Sequence, residues 1–456
     1  MASQGPIPVP NSTKPFWRTE LHELDDHRTS SYLPSEADIV IVGAGFAGAA
    51  LAYYIYEDNP TPPSVVILEA REACSGATGR NGGHLKPDVY FSLPKYIKKF
   101  GVEAAVDIAN FEASQVYAVK ELVEKEKIDC DFTLTRACDA TVHENLAKET
   151  EEAYMELVKS GVANLKDVHY TARKDAERVS GVKGALGCFT FTAGHVWPYK
   201  MVTHLLKLVV GKGANLQTHT PVTHLSEGPL PDGRWLVTTE RGSIKAKQVL
   251  LATNGYTAKL APQFQDHIVP VRGICSRIVV PKDRVAPFLP QTYCIRYGPG
   301  LYDYLIPRND GSIVVGGAKS EFWGDPPHWY NVSDDSKLIE PAKEYFDTLM
   351  QRTFIGWENS GAYVDKLWTG IMGYSSDSIP YVGDVPGKPG QKVLAGFSGH
   401  GMPLILLSAK GVVQMLRQGK SFEDTGVPSI FKATKERLDS TWSDILDRDL
   451  VSEPWS

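Results

Sequence analysis

Short apolar runs alternate with helical patterns near the start of the chain. Residues 39–42 (Ile-Val-Ile-Val) predict a buried strand, residues 43–48 a turn, and residues 49–56 a helix of small residues that ends at Asn59-Pro60. A second apolar run follows at residues 65–68. A strand, a tight turn, a helix and a second strand in this order predict a βαβ unit.

Longer patterns follow. Apolar residues at helical spacing predict helices over 102–127, over 144–159 with Gly161 at its end, and over 199–210 with Gly211 at its end. Strand patterns occupy 215–222, a hairpin over 235–245 with Arg241-Gly242 at its turn, and 249–252. Strands dominate residues 268–317 and predict an antiparallel block. A last strand at 392–397 leads through a glycine turn into a helix over 402–416. This alternation predicts two interleaved domains.

Composition narrows the class of protein. The chain has 456 residues, 42% hydrophobic and 22% charged, with a formal net charge of −6 and no long block of like charge. These values predict a globular protein of two or three domains without a nucleic-acid or membrane partner. The six cysteines show neither a CxxC motif nor zinc-site spacing, and no signal-peptide pattern or membrane-spanning run is present. We therefore expect a cytoplasmic protein with no metal site.

A glycine motif lies in the turn of the predicted βαβ unit. Residues 43–48 read Gly-Ala-Gly-Phe-Ala-Gly, and Glu69 follows at the end of the next predicted strand. In such a motif the first glycine permits the turn, the second lets a pyrophosphate approach backbone N–H groups, and the third lets helix and strand pack closely. A carboxylate at the second strand end binds ribose hydroxyls. The predicted dinucleotide-binding residues are Gly43, Gly45, Phe46, Ala47, Gly48 and Glu69.

The loop after the second predicted strand bears on the choice between FAD and NAD. Residues 69–84 contain four glycines and several other small residues. Small side chains let the backbone lie against a flat ring, whereas an NAD domain would continue directly into its second helix. The loop therefore favours FAD, and its candidate cofactor-binding residues are Ala70, Arg71, Ser75, Gly76, Ala77, Thr78, Arg80, Asn81, Gly82, Gly83 and His84.

The sequence resembles the D-amino-acid-oxidase-like FAD-dependent oxidoreductases, the group of glycine oxidase, the sarcosine oxidases and gamma-glutamylputrescine oxidoreductase. The resemblance rests on IVGAGFAG, SGATGRNGGH, VLLATNGYT and LAGFSGHGM, and the RNGG loop is most similar to the gamma-glutamylputrescine branch and its fungal relatives. It implies an α/β fold with a GR2-type Rossmann-like FAD-binding domain (36–92, 196–265 and 366–425). This domain is interleaved with an α+β substrate domain built on an antiparallel sheet (93–195 and 266–365). An N-terminal arm (1–35) and a C-terminal extension (426–456) complete the chain.

The glycine turn at 395–402 ends a predicted strand and begins a predicted helix, so it presents free N–H groups and the positive end of a helix dipole. The resemblance places this turn against the flavin pyrimidine, where it would stabilise negative charge on the reduced ring. The further cofactor-binding candidates implied by the resemblance are Val222, Thr253, Asn254, Gly255, Gly370, Gly399, His400, Gly401 and Met402.

Substrate-binding residues follow from the resemblance less directly. Sarcosine oxidases hold a carboxylate with an arginine and a lysine, whose positions match Lys86 and Pro403 here. One charge is therefore missing, and we expect a larger or less acidic amine than a small amino acid. A lysine that assists oxygen activation aligns near Val314, so oxidase and dehydrogenase activity both stay open.

Aromatic and histidine residues complete the candidate site. Tyr302, Tyr304 and Trp368 either line an aromatic cavity over the ring or belong to the core. His84 and His400 either transfer protons or serve packing and hydrogen bonding. The candidate catalytic residues are His84, Lys86, Tyr302, Tyr304 and His400.

Together these features predict an FAD-dependent amine or amino-acid oxidase or dehydrogenase, which transfers a hydride from a C–H bond beside nitrogen and yields an imine that water hydrolyses. The partners are a small amine and oxygen or another acceptor. Two alternatives stay open: a dehydrogenase of a non-amine substrate with a non-oxygen acceptor, and a flavin-binding protein without turnover. Because residues 368–375 lack the cysteine that attaches FAD in some relatives, we predict non-covalent FAD, with His84 as the alternative attachment point.

Overall fold

The computed structural model describes residues 6–446. Their strands are β1 Glu36–Val42, β2 Val65–Leu68, β3 His84–Leu85, β4 Thr133–Thr141, β5 His169–Ala172, β6 Gly187–His195, β7 Asn215–Gln217, β8 Val222–Leu225, β9 Trp235–Thr239, β10 Gly242–Leu251, β11 Ile268–Val279, β12 Thr292–Gly298, β13 Leu301–Pro307, β14 Ile313–Gly316, β15 Tyr363–Ser375, β16 Tyr381–Asp384 and β17 Gln391–Ala395. Their α-helices are α1 Phe46–Tyr56, α2 Leu93–Phe100, α3 Val102–Lys125, α4 Glu144–Ser160, α5 Arg173–Ser180, α6 Pro198–Gly211, α7 Thr257–Leu260, α8 Lys319–Phe322, α9 Leu349–Thr353, α10 Ile405–Gln418 and α11 Lys435–Asp439.

The first sheet carries the glycine motif. Its strands β17, β10, β1, β2 and β7 run parallel in that order, β16 pairs antiparallel with β17, and β9 and β8 extend from β10. Val42 is in register with both Leu68 and Leu251. The turns after β1, β2 and β10 therefore lie side by side at one sheet edge, where ligands bind in open α/β sheets.

The second sheet is mostly antiparallel and joins distant parts of the chain. Its order is β15-β11-β14-β13-β12-β4-β6-β3, with β5 paired to β6. One pair, β12 with β4, is parallel. The sheet therefore combines strands from residues 84–195 with strands from residues 268–375.

Helices and the N-terminal arm cover the first sheet. Helix α1 packs between α6 and α10, and Ala49, Ala50 and Leu206 are among their fully buried residues. The predicted arm is anchored rather than free, because Trp17 is fully buried with its ring centroid 5.7 Å from that of Trp197. Small residues on α1 bring the helices close to the sheet and so fix the turn that precedes α1.

Several sequence predictions are confirmed closely, including β2 and the end of α4 at Gly161, whose left-handed conformation (φ 66°) suits glycine. Others are wrong. The strand predicted at 215–222 is two strands, β7 and β8, separated by a turn. The second arm of the predicted hairpin and the predicted strand at 249–252 form one continuous strand, β10. The antiparallel block at 268–317 contains β12, which pairs in parallel with the unpredicted strand β4.

The last predicted helix also begins later than expected. Helix α10 starts at Ile405, three residues beyond Met402. The domain boundaries stay a prediction, although β15 crosses the proposed boundary between residues 365 and 366. No helix among residues 6–446 is long and apolar enough to cross a membrane.

Candidate active site

A cavity of about 1200 Å³ is lined by residues from both sheets. It extends from Glu69 and Val222 beside the parallel strands to Arg296 and Tyr302 on the second sheet. Ligand pockets usually measure ~300–1,000 Å³. The cavity is therefore large enough for a cofactor and a small substrate together.

The glycine turn has the geometry that its sequence predicted. Gly43 has φ +107°, and a Cβ there would lie 2.6 Å from the Ala252 carbonyl oxygen. A Cβ on Gly48 would lie 1.9 Å from the Gly43 carbonyl oxygen, so only glycine lets α1 approach this closely. Gly45 faces the cavity beside Thr78, whose hydroxyl accepts a hydrogen bond from the Phe46 N–H at 3.1 Å. The turn therefore holds backbone at the cavity wall without side chains in the way.

Glu69 is held rigidly at the cavity wall. Its two carboxylate oxygens accept hydrogen bonds from the Ala44 N–H at 2.8 Å and the Arg71 N–H at 3.0 Å. Each carboxylate oxygen retains a further lone pair, so Glu69 can still accept hydrogen bonds from ribose hydroxyls. The carboxylate thus links the turn after β1 to the turn after β2 and presents its free lone pairs to the cavity.

The two arginines of the 69–84 loop bind protein groups. Arg71 and Arg80 both contact the buried carboxylate of Asp335, at 2.9 and 3.3 Å. Arg80 also donates to the Ser75 carbonyl at 2.8 Å and to the hydroxyl of Thr13 in the arm at 3.0 Å. Burial lowers the pKa of Arg80 to about 10, which leaves it protonated at neutral pH. This geometry favours Arg80 as an anchor for the loop backbone, and its predicted cofactor binding stays a prediction.

Most of the sequence-predicted site residues line this one cavity. They are Gly43, Gly45, Phe46, Ala47, Glu69, Ala70, Arg71, Gly76, Ala77, Thr78, Arg80, Asn81, Gly82, His84, Lys86, Val222, Thr253, Asn254, Gly255, Tyr302, Tyr304, Gly370, Gly399, His400, Gly401 and Met402. Three predicted residues, Gly48, Ser75 and Gly83, do not line it. Trp368 does not line it either, because it is fully buried and donates to the Arg80 carbonyl at 2.7 Å.

The turn at residues 399–402 offers hydrogen-bond donors. Gly399, Gly401 and Met402 line the cavity, and within residues 6–446 their N–H groups have no protein acceptor. The first N–H of α10, on Ile405, already donates to the Gly401 carbonyl at 3.0 Å. The free donors therefore belong to the glycine turn. The sequence had suggested that the start of the helix would contribute as well.

The residues present fit FAD. The glycine turn leaves room for a pyrophosphate, Glu69 offers acceptors for a ribose, and the 399–402 turn offers unsatisfied donors at the same cavity. Tyr256 also lines the cavity, and its buried hydroxyl has no partner among the described residues. A bound cofactor would supply partners for these groups.

Polar residues of α3 reach the same turn from the other side. Glu112, which is 1% exposed, accepts a hydrogen bond from His400 Nε2 at 2.7 Å and from the Asp88 N–H at 2.6 Å. Gln115 donates to the Met402 carbonyl at 3.1 Å and accepts from the Leu407 N–H at 2.9 Å. Although His400 is partly buried, the Glu112 carboxylate raises its pKa.

Two cations line the part of the cavity that lies on the second sheet, away from Glu69. Lys86 Nζ and Arg296 Nη2 each lie 3.1 Å from Asp139 Oδ2, and the Tyr90 hydroxyl donates to the same oxygen at 3.1 Å. Asp139 is fully buried and is not part of the cavity wall, whereas Lys86 and Arg296 line it. The Arg296 guanidinium stacks 3.4 Å above the Phe91 ring. Asp88, which also lines the cavity, interacts with both cations, so the wall carries two fixed positive charges beside two carboxylates.

Neutral side chains lie between the two ends. His84 Nε2 is 2.8 Å from the Thr292 hydroxyl, and burial holds the His84 pKa well below its ordinary value. The Tyr304 ring fills space that a Cβ on Gly82 would occupy, at 2.5 Å, and burial raises the pKa of its hydroxyl. Tyr302 lies beside it, with ring centroids 6.4 Å apart. At neutral pH, His84 and Tyr304 are therefore uncharged.

Sequence reasoning missed Arg296, Asp139 and Glu112. Arg296 on β12, a strand that pairs with the unpredicted strand β4, places a second cation at the cavity wall beside Lys86. The available signal was an isolated charged residue inside an apolar strand pattern. Val314 is fully buried in the core, so no side chain at that position reaches the cavity.

A model of the DAO family, described as FAD dependent oxidoreductase, matches residues 38–415. Gamma-glutamylputrescine oxidoreductase of Escherichia coli is 24% identical over 392 residues, 83% of each chain. Glycine oxidase of Bacillus subtilis is 21% identical over 363 residues, 76% of this chain and 84% of the relative. The crystal structure of glycine oxidase from Geobacillus kaustophilus aligns with a TM-score of 0.70 at 19% identity, covering 88% of this chain and 99% of the other.

Proposed function

The chain belongs to the DAO family of FAD-dependent oxidoreductases, and from that premise we propose that it oxidises the C–N bond of a small amine that also carries an anionic group. The observation that carries the proposal is the pair of cavity-lining cations, Lys86 and Arg296, held by one buried carboxylate. The relatives support an amine: one is a gamma-glutamylputrescine oxidoreductase and another a glycine oxidase.

The cations would bind a carboxylate of the substrate. Arg296 Nη2 is used by Asp139, while Nη1 has no partner among the described residues. Stacking on Phe91 fixes the guanidinium plane, so little conformational entropy is lost when an anion binds. Charge-assisted hydrogen bonds of this kind contribute about 1.5–3 kcal/mol each. An anion bound here would hold the rest of the substrate in the cavity.

The same positive charge would favour the reactive form of an amine. Hydride removal beside nitrogen requires the neutral amine, because its lone pair stabilises the developing imine. A substrate ammonium group close to the Lys86 or Arg296 charge has a lowered pKa. When bound, FAD supplies the acceptor for the hydride. The chain itself orients the substrate and favours deprotonation of its nitrogen, and water then hydrolyses the released imine.

The electron acceptor and the cellular location are the finer parts of the proposal. Oxygen or a second acceptor takes the electrons. Val314, at the position that aligns with the lysine that assists oxygen activation, is fully buried and supplies no basic group. A cytoplasmic location is supported by the six cysteines, all of which are buried free thiols.

Anaerobic mixing tests the proposed reaction. Paired amines, alike except for one carboxylate, are added to the purified protein, and loss of the oxidised flavin absorption is followed. We expect the carboxylate-bearing member of a pair to bleach the flavin at lower concentration. Bleaching by hydroxy acids and not by amines would support the non-amine alternative and contradict this proposal.

A variant of the cation pair sharpens the test. Arg296→Met keeps much of the side-chain volume and removes the charge, so we expect the concentration for half-maximal bleaching by the carboxylate amine to rise at least about tenfold. Arg136→Met is the matched control, because Arg136 also belongs to this sheet but forms a surface ion pair with Asp167 and does not line the cavity. Equal effects of both variants would count against a carboxylate site.

A further inference from the structure

The imidazole of His400 is fixed between a buried carboxylate and the cavity. Its Nε2 is 2.7 Å from Glu112 Oε2, and Nδ1 has no partner among the described residues. The side chain is 40% exposed, whereas that of Glu112 is 2% exposed. One edge of the ring therefore contacts Glu112, and the ring forms part of the cavity wall.

Burial makes the charge of Glu112 expensive unless a cation stands beside it. The carboxylate has one neutral donor, the Asp88 N–H at 2.6 Å, and one ionisable donor, His400. Breaking a buried pair by removing one partner leaves an uncompensated charge. The pair is therefore most stable as carboxylate and imidazolium.

We propose that Glu112 is a positioning residue that keeps His400 positively charged at the cavity wall formed by residues 399–402, and that this fixed charge favours the reduced, anionic state of the bound flavin. The inference rests on FAD binding and not on the identity of the substrate. It assigns a role to α3, for which the sequence predicts only a helix. The unpaired donors of Gly399, Gly401 and Met402 act in the same direction, because they too stabilise an anion.

The charges around His400 fix the sign of the pH dependence. Glu112 faces it from α3, Asp88 and Lys86 from the segment after β3, and His84 from β3 itself. Glu112 and Asp88 raise the pKa of His400, while Lys86 lowers it. The positive charge therefore persists to a higher pH than on an isolated imidazole and is lost as the pH rises through the raised pKa of His400.

The midpoint potential of the bound flavin, measured by equilibration with a reference dye, tests the proposal. Glu112→Gln keeps the shape and an acceptor for the Asp88 N–H but removes the charge that holds His400 protonated. At a pH between the pKa of His400 in the variant and its raised pKa in the wild type, we expect the ratio of reduced to oxidised flavin at a given potential to fall about tenfold in Glu112→Gln, a shift of about 30 mV for two electrons. At a pH above the pKa of His400 in the wild type, the wild type should lose this advantage, because His400 is then neutral in both proteins and only the wild type keeps the Glu112 carboxylate.

Two further variants keep the test decisive. His400→Gln removes the positive charge and leaves the Glu112 carboxylate unpaired, so it should lower the potential at least as far as Glu112→Gln, and the double variant, which removes both charges, should match Glu112→Gln. Gln115→Leu is the matched control, because it breaks one hydrogen bond to the turn, at Met402, and one to α10, at Leu407, without changing any charge. A potential unaltered in both Glu112→Gln and His400→Gln would overturn the proposal, and so would an equal shift in Gln115→Leu. Because no substrate is used, a failure here leaves the proposed amine oxidation untouched.

Discussion

Arg71 and Asp335, which are 264 positions apart in the chain, form a two-point ion pair with Nη1–Oδ1 and Nη2–Oδ2 distances of 2.9 and 3.0 Å. The Asp335 side chain is 1% exposed, and Arg80 contacts the same carboxylate. Arg71 and Arg80 lie at the two ends of the glycine-rich loop that lines the cofactor cavity. A single buried carboxylate therefore anchors both ends of that loop.

Asp335→Asn should destabilise the protein and lower its FAD content. The substitution leaves two buried guanidinium groups without a carboxylate, and breaking a buried ion pair from one side costs about 3–5 kcal/mol. Thermal unfolding and flavin absorbance per protein measure the two effects. Asp334→Asn is the control, because Asp334 is partly exposed and bonds to Ser336 in its own turn. Equal losses in the two variants would show that Asp335 has no special role.

The residues of the dinucleotide turn were predictable because their chemistry is local. Gly43, Gly48 and Glu69 act through backbone conformation and spacing within one βαβ unit, and both properties can be read along the chain. Arg296 and Asp139 act through the pairing of β12 with β4, which joins segments about 150 residues apart. No periodicity within either segment indicates that pairing. The cations of the substrate end were therefore visible only in the fold.

Gly45→Val should abolish FAD loading without unfolding the protein. A Cβ at Gly45 would lie 3.2 Å from the Thr78 hydroxyl and face the cavity, and valine would extend into the space required by a pyrophosphate. The purified variant should be colourless with an unfolding midpoint near that of wild-type protein stripped of FAD. Gly211→Ala is the control, because its Cβ meets nothing within 4 Å. A yellow, fully loaded Gly45→Val protein would contradict the assignment.

Glu69→Ala should weaken FAD binding roughly ten- to a hundredfold. The estimate follows from about 1.5–3 kcal/mol for charge-assisted hydrogen bonds to a ribose. The substitution also frees the N–H groups of Ala44 and Arg71, which solvent or cofactor can satisfy at the cavity wall. Titration of the stripped protein with FAD measures the dissociation constant. An unchanged constant would make Glu69 a residue that only supports the turn.

Acid should destabilise the protein through His195. This residue is 5% exposed opposite His84 on the β3–β6 ladder, and burial lowers its pKa to about 4. The unfolded chain takes up a proton near pH 6.5 while the folded one does not, so stability falls as pH decreases from about 6.5 to about 4. The shift corresponds to about 3 kcal/mol. His195→Gln should reduce the slope of unfolding free energy against pH in this range, whereas His169→Gln on the exposed strand β5 should not.

FAD should be held without a covalent bond. The cavity-lining thiols of Cys275 and Cys294 are protonated at neutral pH, because burial raises their pKa to about 12 and about 11, and a neutral thiol is a poor nucleophile. His84 is the one competing attachment point that the sequence suggested, and its Nε2 is already 2.8 Å from the Thr292 hydroxyl. After acid precipitation, we expect all yellow colour in the supernatant. Colour that stays in the pellet of the wild type and leaves it in His84→Ala would show a histidyl bond instead. His84 carries the only imidazole in this loop, so its removal leaves no ring nitrogen there that could carry the flavin.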